Sequence, residues 1–471
     1  MKIQKKDTLI QTLNYLVYQV IVGAKIMSEK SNIASKVLSS LDHKIDKVFN
    51  ERYKINILND DSYFTRKGKK TSFKDTVKTV ISFGRDSLPI EMSRYFNDDD
   101  ALPITKSGFI QSRAKIKPET FKQILGLINN AYPCEKKYKG YRLLAVDGSD
   151  LNIAKDKKDD VSRKSNGENT KPSYMLHINC EYDILNDRYI DCVIQRYKEM
   201  NENAAFVAMS DHYKGDKAIF IADRYYASYN NMAHLEDHGH KYLIRSKDIN
   251  STTSILKNYF KGKEGEFDED VSIILTNKYS KKIIENKDKY KPIMANQTFD
   301  YLDSDNHFYE MKFRVVRIRI DGNEEEYESI ITNLDRDEFS KEEIKDLYIH
   351  RWNIEVSYRH LKYVADLNRT HSVKRNFLMQ EIWAKLIMFN ISTIIINHIN
   401  ENKISKEIKR KDEYKVNVSV AIELIRACIK RKGHVPPGLI EQIASNILPV
   451  RHGRRYNRNV EPQCFVSFNY R

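Results

Sequence analysis

The chain is poor in cysteine, with 5 in 471 residues: Cys134, Cys180, Cys192, Cys428 and Cys464. Their number is odd, their spacing is wide and no Cys-x-x-Cys pair occurs. That argues against a zinc site and against a disulfide framework. Reduced thiols in a cytoplasm are the expected state. The chain also lacks a clean apolar run long enough to span a bilayer. Its most apolar stretch, 382–399, is broken by Lys385, Asn390, Asn397 and His398, and reads as a buried helix. Near the start, Lys2, Lys5 and Lys6 precede a mildly apolar run from Leu9 to Met27. Asn14, Tyr15, Tyr18 and Gln19 interrupt that run, so it reads as an amphipathic helix and not as a signal peptide. There is no internal repeat and no low-complexity tract.

Positive charge, by contrast, is abundant. Lys and Arg number 80 against 65 Asp and Glu, a net charge of +15. The segment 403–471 holds 15 Lys and Arg against 6 Asp and Glu, so +9 of that excess lies at one end. Such a balance attracts polyanions, nucleic acid first and anionic membrane surfaces second. At about 100–200 residues per domain, the length allows two to four domains.

Residues 1–60 and 73–96 carry apolar positions at three- and four-residue spacing and read as helices. Arg66, Lys67, Lys69 and Lys70 form a basic cluster between them. A loop is expected over 98–103, then a capped helix from Thr105 with Arg113 and Lys115 projecting from it. This block reads either as a helical DNA-binding unit or as a helical bundle with solvated lysines. From Tyr141 the character changes. The apolar run Leu-Leu-Ala-Val ends at Asp147, and Gly148-Ser149 reads as a turn, so a buried strand delivers a carboxylate at its end. Two strands follow at 174–184 and 188–196, then a helix at 201–213. A further strand ends at Asp223, with a helix to His238 and a strand from Lys241 to Arg245. Over 247–335, β-branched and alternating runs between Gly, Asn and Asp read as several antiparallel strands. Ser340, with Glu343 three residues on, then opens a helix with a capping-box pattern.

That helix carries the sharpest signal. At about 100° per residue, Arg351, Glu355 and Lys362 fall at about −60°, −20° and −40° from Tyr348, so all four share one face. Leu347, Ile354, Tyr358 and Leu361 form an adjoining apolar stripe. Trp352 at the edge reads as core, and His177 and His350 as structural histidines. A carboxylate among cations is by itself most often a solvated salt-bridge ladder. Here two strand-end aspartates stand upstream. Hard divalent ions take oxygen ligands, and two such ions can serve both oxygens of a phosphoryl transfer. Asp147, Asp223 and Glu355 are the candidate ligands, and cations on the same face can hold phosphates.

The spacing Tyr-(2)-Arg-(3)-Glu-(6)-Lys around Glu355 resembles the signature of the DDE transposases of the insertion-sequence-four family. Asp223-Arg224-Tyr225-Tyr226 is similar to that family's Asp-Arg-Gly-Tyr motif, and Val146-Asp147-Gly148-Ser149 to its first acidic motif. Gln111-Ser112-Arg113-Ala114-Lys115 and the segment from Pro449 through Arg454-Arg455 to Arg471 also resemble family sequences. The resemblance spans about residues 70–471. It implies an α/β fold: an RNase H-like catalytic core in two parts, 136–246 and 339–400, split by a β-rich insertion at 247–338. A helical N-terminal DNA-binding region, 1–135, and a helical basic C-terminal region, 401–471, would flank it. The activity implied is metal-dependent cleavage of DNA at terminal inverted repeats and strand transfer into target DNA. Hydrolysis of one strand, a hairpin on the transposon end, hairpin opening and strand transfer would be the steps.

Asp147, Asp223 and Glu355 would be catalytic and would hold two Mg²⁺, or Mn²⁺. Tyr348, Arg351 and Lys362 would contact DNA near the cut, with Arg224 and Arg359 as further phosphate contacts. The partners implied are double-stranded DNA and a second copy of the chain in a synaptic homodimer, in a bacterial cytoplasm and without a membrane. The alternatives are a catalytically silent regulator derived from a transposase and another RNase H-like nuclease. Two departures stand out. Tyr225 replaces the usual glycine of the second motif and is expected to crowd the turn. The only tryptophans, Trp352 and Trp383, lie outside the insertion, where some relatives stack a flipped base on one.

Overall fold

Five consecutive apolar residues, Ala218–Ala222, form a strand buried at every position. A strand covered on both faces needs such an unbroken apolar run, and parallel sheets supply that setting. Around it grows a mixed sheet of ten strands. The computed structural model describes residues 32–96, 104–165, 171–257, 259–260, 262–286, 289–319, 327–404 and 413–450. The helix expected over the first 27 residues, the loop at 98–103 and the segment 451–471 with Arg454 and Arg455 lie outside the described residues. The chain divides into two units, Cys134–Arg359 and the pair of segments Met1–Pro133 and His360–Arg471.

The Cys134–Arg359 unit holds the sheet. Its strands are β1 (Arg142–Asn152), β2 (Arg163–Lys164), β3 (Ser173–Asp183), β4 (Arg188–Arg196) and β5 (Ala218–Ala222). After them come β6 (Lys241–Ser246), β7 (Phe267–Thr276), β8 (Tyr290–Pro292), β9 (Phe308–Arg319) and β10 (Tyr327–Thr332). The order is β2-β3-β1-β5-β6-β10-β9-β7-β8, with β4 paired to β3. β1, β5 and β6 run parallel, while β10, β9 and β7 continue the same sheet antiparallel. The β-rich stretch therefore does not form a sheet of its own, because β10 pairs directly with β6. One apolar core follows from this, running from Val146, Phe220 and Ile244 to Ile273, Phe313 and Ile331. Helix α1 (Glu202–His212), capped by Asn201, and helix α2 (Tyr229–Asp237), capped by Ser228, cover it with Phe206, Met209, Met232 and Leu235.

β1 departs from the expected strand-then-turn. It runs straight through Gly148 and Ser149 to Asn152, held by antiparallel pairing with β3 out to Asn152↔Met175. Only the parallel pairing with β5 stops early, at Val146↔Ala222. Gly148 serves close approach and not a turn. A Cβ there would lie 2.6 Å from both the Glu202 Oε1 and the His177 Nε2 atoms.

Among its described residues the other unit is mainly helical, with one short antiparallel pair, Tyr414–Val416 with Ile447–Pro449. The 25-residue helix Arg375–Ile399 packs against Asn32–Asn50, Phe73–Ile81, Glu119–Ala131 and Val418–Lys430. Arg375–Ile404 is long and apolar enough to cross a membrane, but 83% of its apolar window is buried inside the fold. The buried polar residues on it have partners. Glu381 pairs with Arg113 at 2.9 Å, and Lys385 donates to the Phe83 carbonyl. Arg113 thus does not project from its helix as expected. It is buried, and also donates to Gln380 Oε1 and to the Phe377 carbonyl.

Candidate active site

The site is assembled from three segments of the Cys134–Arg359 unit. Val146 and Ala222 are the last paired residues of two neighbouring parallel strands, and Asp147 and Asp223 follow them. The two aspartates therefore stand side by side where the parallel β1–β5 pairing ends, Asp223 just past β5 and Asp147 within β1, and the C-terminal ends of parallel strands are where α/β sheets commonly bind ligands. The third segment comprises α3 (Lys341–Ile349) and α4 (Trp352–Arg359). Ser340 caps α3 with the full capping box: its hydroxyl accepts from the Glu343 amide, and the Glu343 carboxylate accepts from the Ser340 amide. α4 lies on β1, with Ile354 buried and the Tyr358 hydroxyl donating to the Asp147 carbonyl at 2.7 Å.

The segment is not one straight helix. The His350 and Arg351 amides donate to the carbonyls of Leu347 and Tyr348, three residues back, and those of Asn353 and Ile354 do the same to His350 and Arg351. This tightened turn replaces the 100° step by a steeper one, so the single face deduced for a uniform helix does not hold across it. Arg351 and Glu355 nonetheless meet, Nη1 to Oε1 at 3.1 Å. The guanidinium lies 5.8 Å from the Tyr348 ring centroid and 4.9 Å from that of Trp352. Trp352 is 46% exposed and not core, and His350 is exposed too. Lys362 falls in the other unit, in the π-helical turn His360–Val364.

The electrostatics show which groups share one space. Burial, followed by the charges of Asp223 and Glu355, pushes the Asp147 carboxyl up to about 7 against the opposing pull of Arg351. Burial pushes the Tyr348 phenol up to about 12, against Arg351 and Arg245, with Glu328 and Asp223 adding to the rise. The structure thus brings Asp147, Asp223, Glu355, Arg351 and Tyr348 together. Arg224 and Arg359 are exposed. The Tyr348 hydroxyl is buried without a hydrogen-bond partner among the described residues.

Tyr225 does not crowd its turn. Its side chain is 71% exposed, its backbone is outside the left-handed region, and its amide donates to Asp223 Oδ1 at 2.8 Å. Tyr226 points inward and donates to Asn179 Oδ1.

Sequence reasoning did not place Glu202 and His177 beside this strand end. His177 Nδ1 lies 2.8 Å from Asp150 Oδ1, and its Nε2 lies 3.0 Å from Glu202 Oε1. Burial alone would lower the imidazole's pKa, but the hydrogen bonds to Asp150 and Glu202 raise it to about 9. Gly148, whose hydrogen leaves room for both side chains, was the available signal.

A family model described as the transposase DDE domain matches residues 138–391. No curated protein matches the chain. Among solved structures, the chain is similar to a piggyBac transposase, determined by cryo-electron microscopy as a synaptic complex with hairpin DNA. Identity is 10%, coverage is 91% of this chain and 87% of that one, and the TM-score is 0.40.

Proposed function

This chain belongs to the transposase DDE domain family, and from that premise we propose that it is a cut-and-paste DNA transposase of the insertion-sequence-four type. In this reading it cleaves DNA at terminal inverted repeats and transfers the freed strand into target DNA. The observation that carries the proposal is the meeting of Asp147 and Asp223, side by side where the β1–β5 pairing ends, with Glu355 from α4, close enough that each raises the Asp147 pKa. The spacing of Tyr348, Arg351, Glu355 and Lys362 supports the family type. An RNase H-like core made of 136–246 and 339–400, flanked by DNA-binding helical regions, belongs to the same proposal. So does a synaptic homodimer acting in the cytoplasm.

Divalent metal is the cofactor that the family implies, and the donor set fits it. Three oxygen-bearing carboxylates that repel one another, with one guanidinium among them, suit a hard cation such as Mg²⁺ or Mn²⁺. Among the described residues no three His, Cys, Asp or Glu side chains are already gathered closely enough to hold an ion. Asp147, Asp223 and Glu355 would hold it. Two such ions would activate the attacking oxygen and stabilise the leaving one.

The remaining work falls to the chain's own residues. Arg351 holds the Glu355 carboxylate in place. Tyr358 fixes α4 to β1. The unpartnered Tyr348 hydroxyl is available to a phosphate oxygen, and the exposed Arg224 and Arg359 offer charge-assisted bonds to the backbone. Lys362 is proposed as a further phosphate contact.

The test is a cleavage assay on labelled DNA carrying the element's own ends, with Mg²⁺, comparing the wild type with Asp147→Ala. Metal-dependent nicking and end-joining by the wild type, lost in the variant, is expected. Specific end binding without cutting by either protein would overturn the catalytic reading.

A further inference from the structure

The Cys134–Arg359 unit has a half-open cavity of about 730 Å³, lined in part by residues 227–231, which follow the Asp223 turn in the chain. That size is typical of small-molecule sites and far too small for a duplex. The first turns of α1 and α2 both contribute to its lining, through Asn201 and Asn203 and through Ser228 and Asn231. Helix N-termini present positive potential and amide donors.

Two lysines line the same cavity, Lys257 and Lys291. Neither has an ion-pair partner among the described residues. They also feel each other's charge: burial, then Lys257, lowers the Lys291 pKa. The one carboxylate in the lining, Asp300, is already engaged by Asn230 Nδ2 at 2.8 Å and by His234 Nε2 at 3.0 Å. Two like charges facing one cavity, with its one lining carboxylate already engaged and no other carboxylate among the described residues of the lining, form a site for an external anion.

A further independent feature points to the rest of the ligand. Asn231 lines the cavity and is fully buried. Its amide nitrogen donates to Asn203 Oδ1 and to the Tyr226 carbonyl, but its Oδ1 has no hydrogen-bond partner among the described residues. A buried acceptor left unpaired is costly unless a donor arrives. The same lining also holds the apolar side chains of Ile255, Ile293 and Phe299. A flat apolar face with an amino edge, joined to a phosphate, meets all three demands together.

We propose that this cavity is a binding site for a free nucleoside phosphate carrying an exocyclic amino group, its phosphate held by Lys257 and Lys291 and its base against Phe299 within reach of Asn231. The site is distinct from the catalytic carboxylates, and it does not depend on the transposase reading.

The test is calorimetric titration of the full-length protein, without DNA and without divalent metal, using adenosine 5′-monophosphate, adenosine and inorganic phosphate as probes. Saturable binding of the monophosphate is expected, with adenosine and phosphate each at least about tenfold weaker, since each lacks half of the contacts. Lys257 is exposed, so Lys257→Glu should keep the wild-type melting curve and lose binding, while Lys257→Arg retains it. Absence of saturable binding, equal binding of adenosine, or full binding by Lys257→Glu would each overturn the proposal. A 5′-phosphorylated single-stranded oligonucleotide is the second arm. If it binds in a Lys257-dependent way and the free nucleotide does not, the occupant is a strand end, and the free-ligand assignment fails. Because no cleavage is read, failure here leaves the catalytic proposal untouched.

Discussion

The Tyr358 hydroxyl donates to the backbone carbonyl of Asp147 at 2.7 Å, so the helix that carries Glu355 is tied to the strand that carries the first aspartate. The tie is buried, and Ser357 beside it meets the Tyr189 hydroxyl at 2.9 Å. Removing one hydroxyl leaves a buried carbonyl short of a donor, at a cost of about 1–2 kcal/mol. Tyr358→Phe should therefore fold with a slightly lower melting midpoint. Its end cleavage should drop by about tenfold or more, because carboxylate spacing is sensitive to small shifts. Unchanged cleavage at the lowered midpoint would show that the tie serves stability alone.

Gly148 occupies a strand position that has no room for a methyl group. The ideal Cβ would sit 2.6 Å from both Glu202 Oε1 and His177 Nε2. Gly148→Ala must displace one of them, and overpacking of this kind costs roughly 1–3 kcal/mol. The carboxylate end is the more mobile of the two, so the penalty should shrink when Glu202→Ala is combined with it. Urea midpoints of the two single variants and the double variant measure that coupling. Strict additivity would mean that the backbone moves and not Glu202.

These residues also show what the sequence could and could not reveal. The capping box at Ser340 and Glu343 was legible because both partners lie within one turn. The strand before Asp223 was legible because a fully buried parallel strand must be apolar throughout. Arg113 was misread as exposed because its partner, Glu381, is distant in sequence and helical periodicity says nothing of it. The supposed turn at Gly148 failed for a related reason, since glycine can mark a turn or a close approach and only the neighbouring elements decide. Trp352 was assigned to the core on a uniform helix, and the tightened turn at His350–Ile354 removed that premise. The joining of β10 to β6 is a long-range pairing that no local pattern announces.

His177 supplies a pH dependence. Its folded pKa is raised to about 9 from an ordinary 6.5 by Asp150 and Glu202. A proton held more tightly in the folded chain stabilises the fold at low pH. The contribution is full below about pH 6.5, fades between 6.5 and 9, and is gone above that. The shift corresponds to at most about 3 kcal/mol, and nearer 1–2 kcal/mol because Asp150 is 46% exposed and solvent screens it. His177→Gln should therefore be destabilised most at pH 6, with the difference from wild type closing toward pH 9.5. Chemical denaturation at those two pH values checks this, and a gap that widens with pH would contradict the assignment.

Glu355→Gln separates the two things the site does. The amide keeps the size of the side chain and removes its charge, so a carboxylate ligand is lost while the shape of α4 is kept. Arg351 is 7% exposed and would lose its closest anionic neighbour, though Asp147 also bears on it. Loss of a partner to a fully buried charge costs about 3–5 kcal/mol, and Glu355 is 28% exposed, so roughly 1–3 kcal/mol is expected here. Affinity for DNA ends depends on cations that displace counterions from phosphate, and Glu355 is not one of them. The slope of binding against salt should therefore match the wild type. Cleavage and strand transfer should fall below detection at every Mg²⁺ and Mn²⁺ concentration tried. Gel-shift titrations across a salt series, run beside the cleavage assay, give both readings from one preparation. If the salt slope flattens along with the loss of cutting, Glu355 shapes the DNA interface itself, and its assignment as a metal ligand alone does not stand.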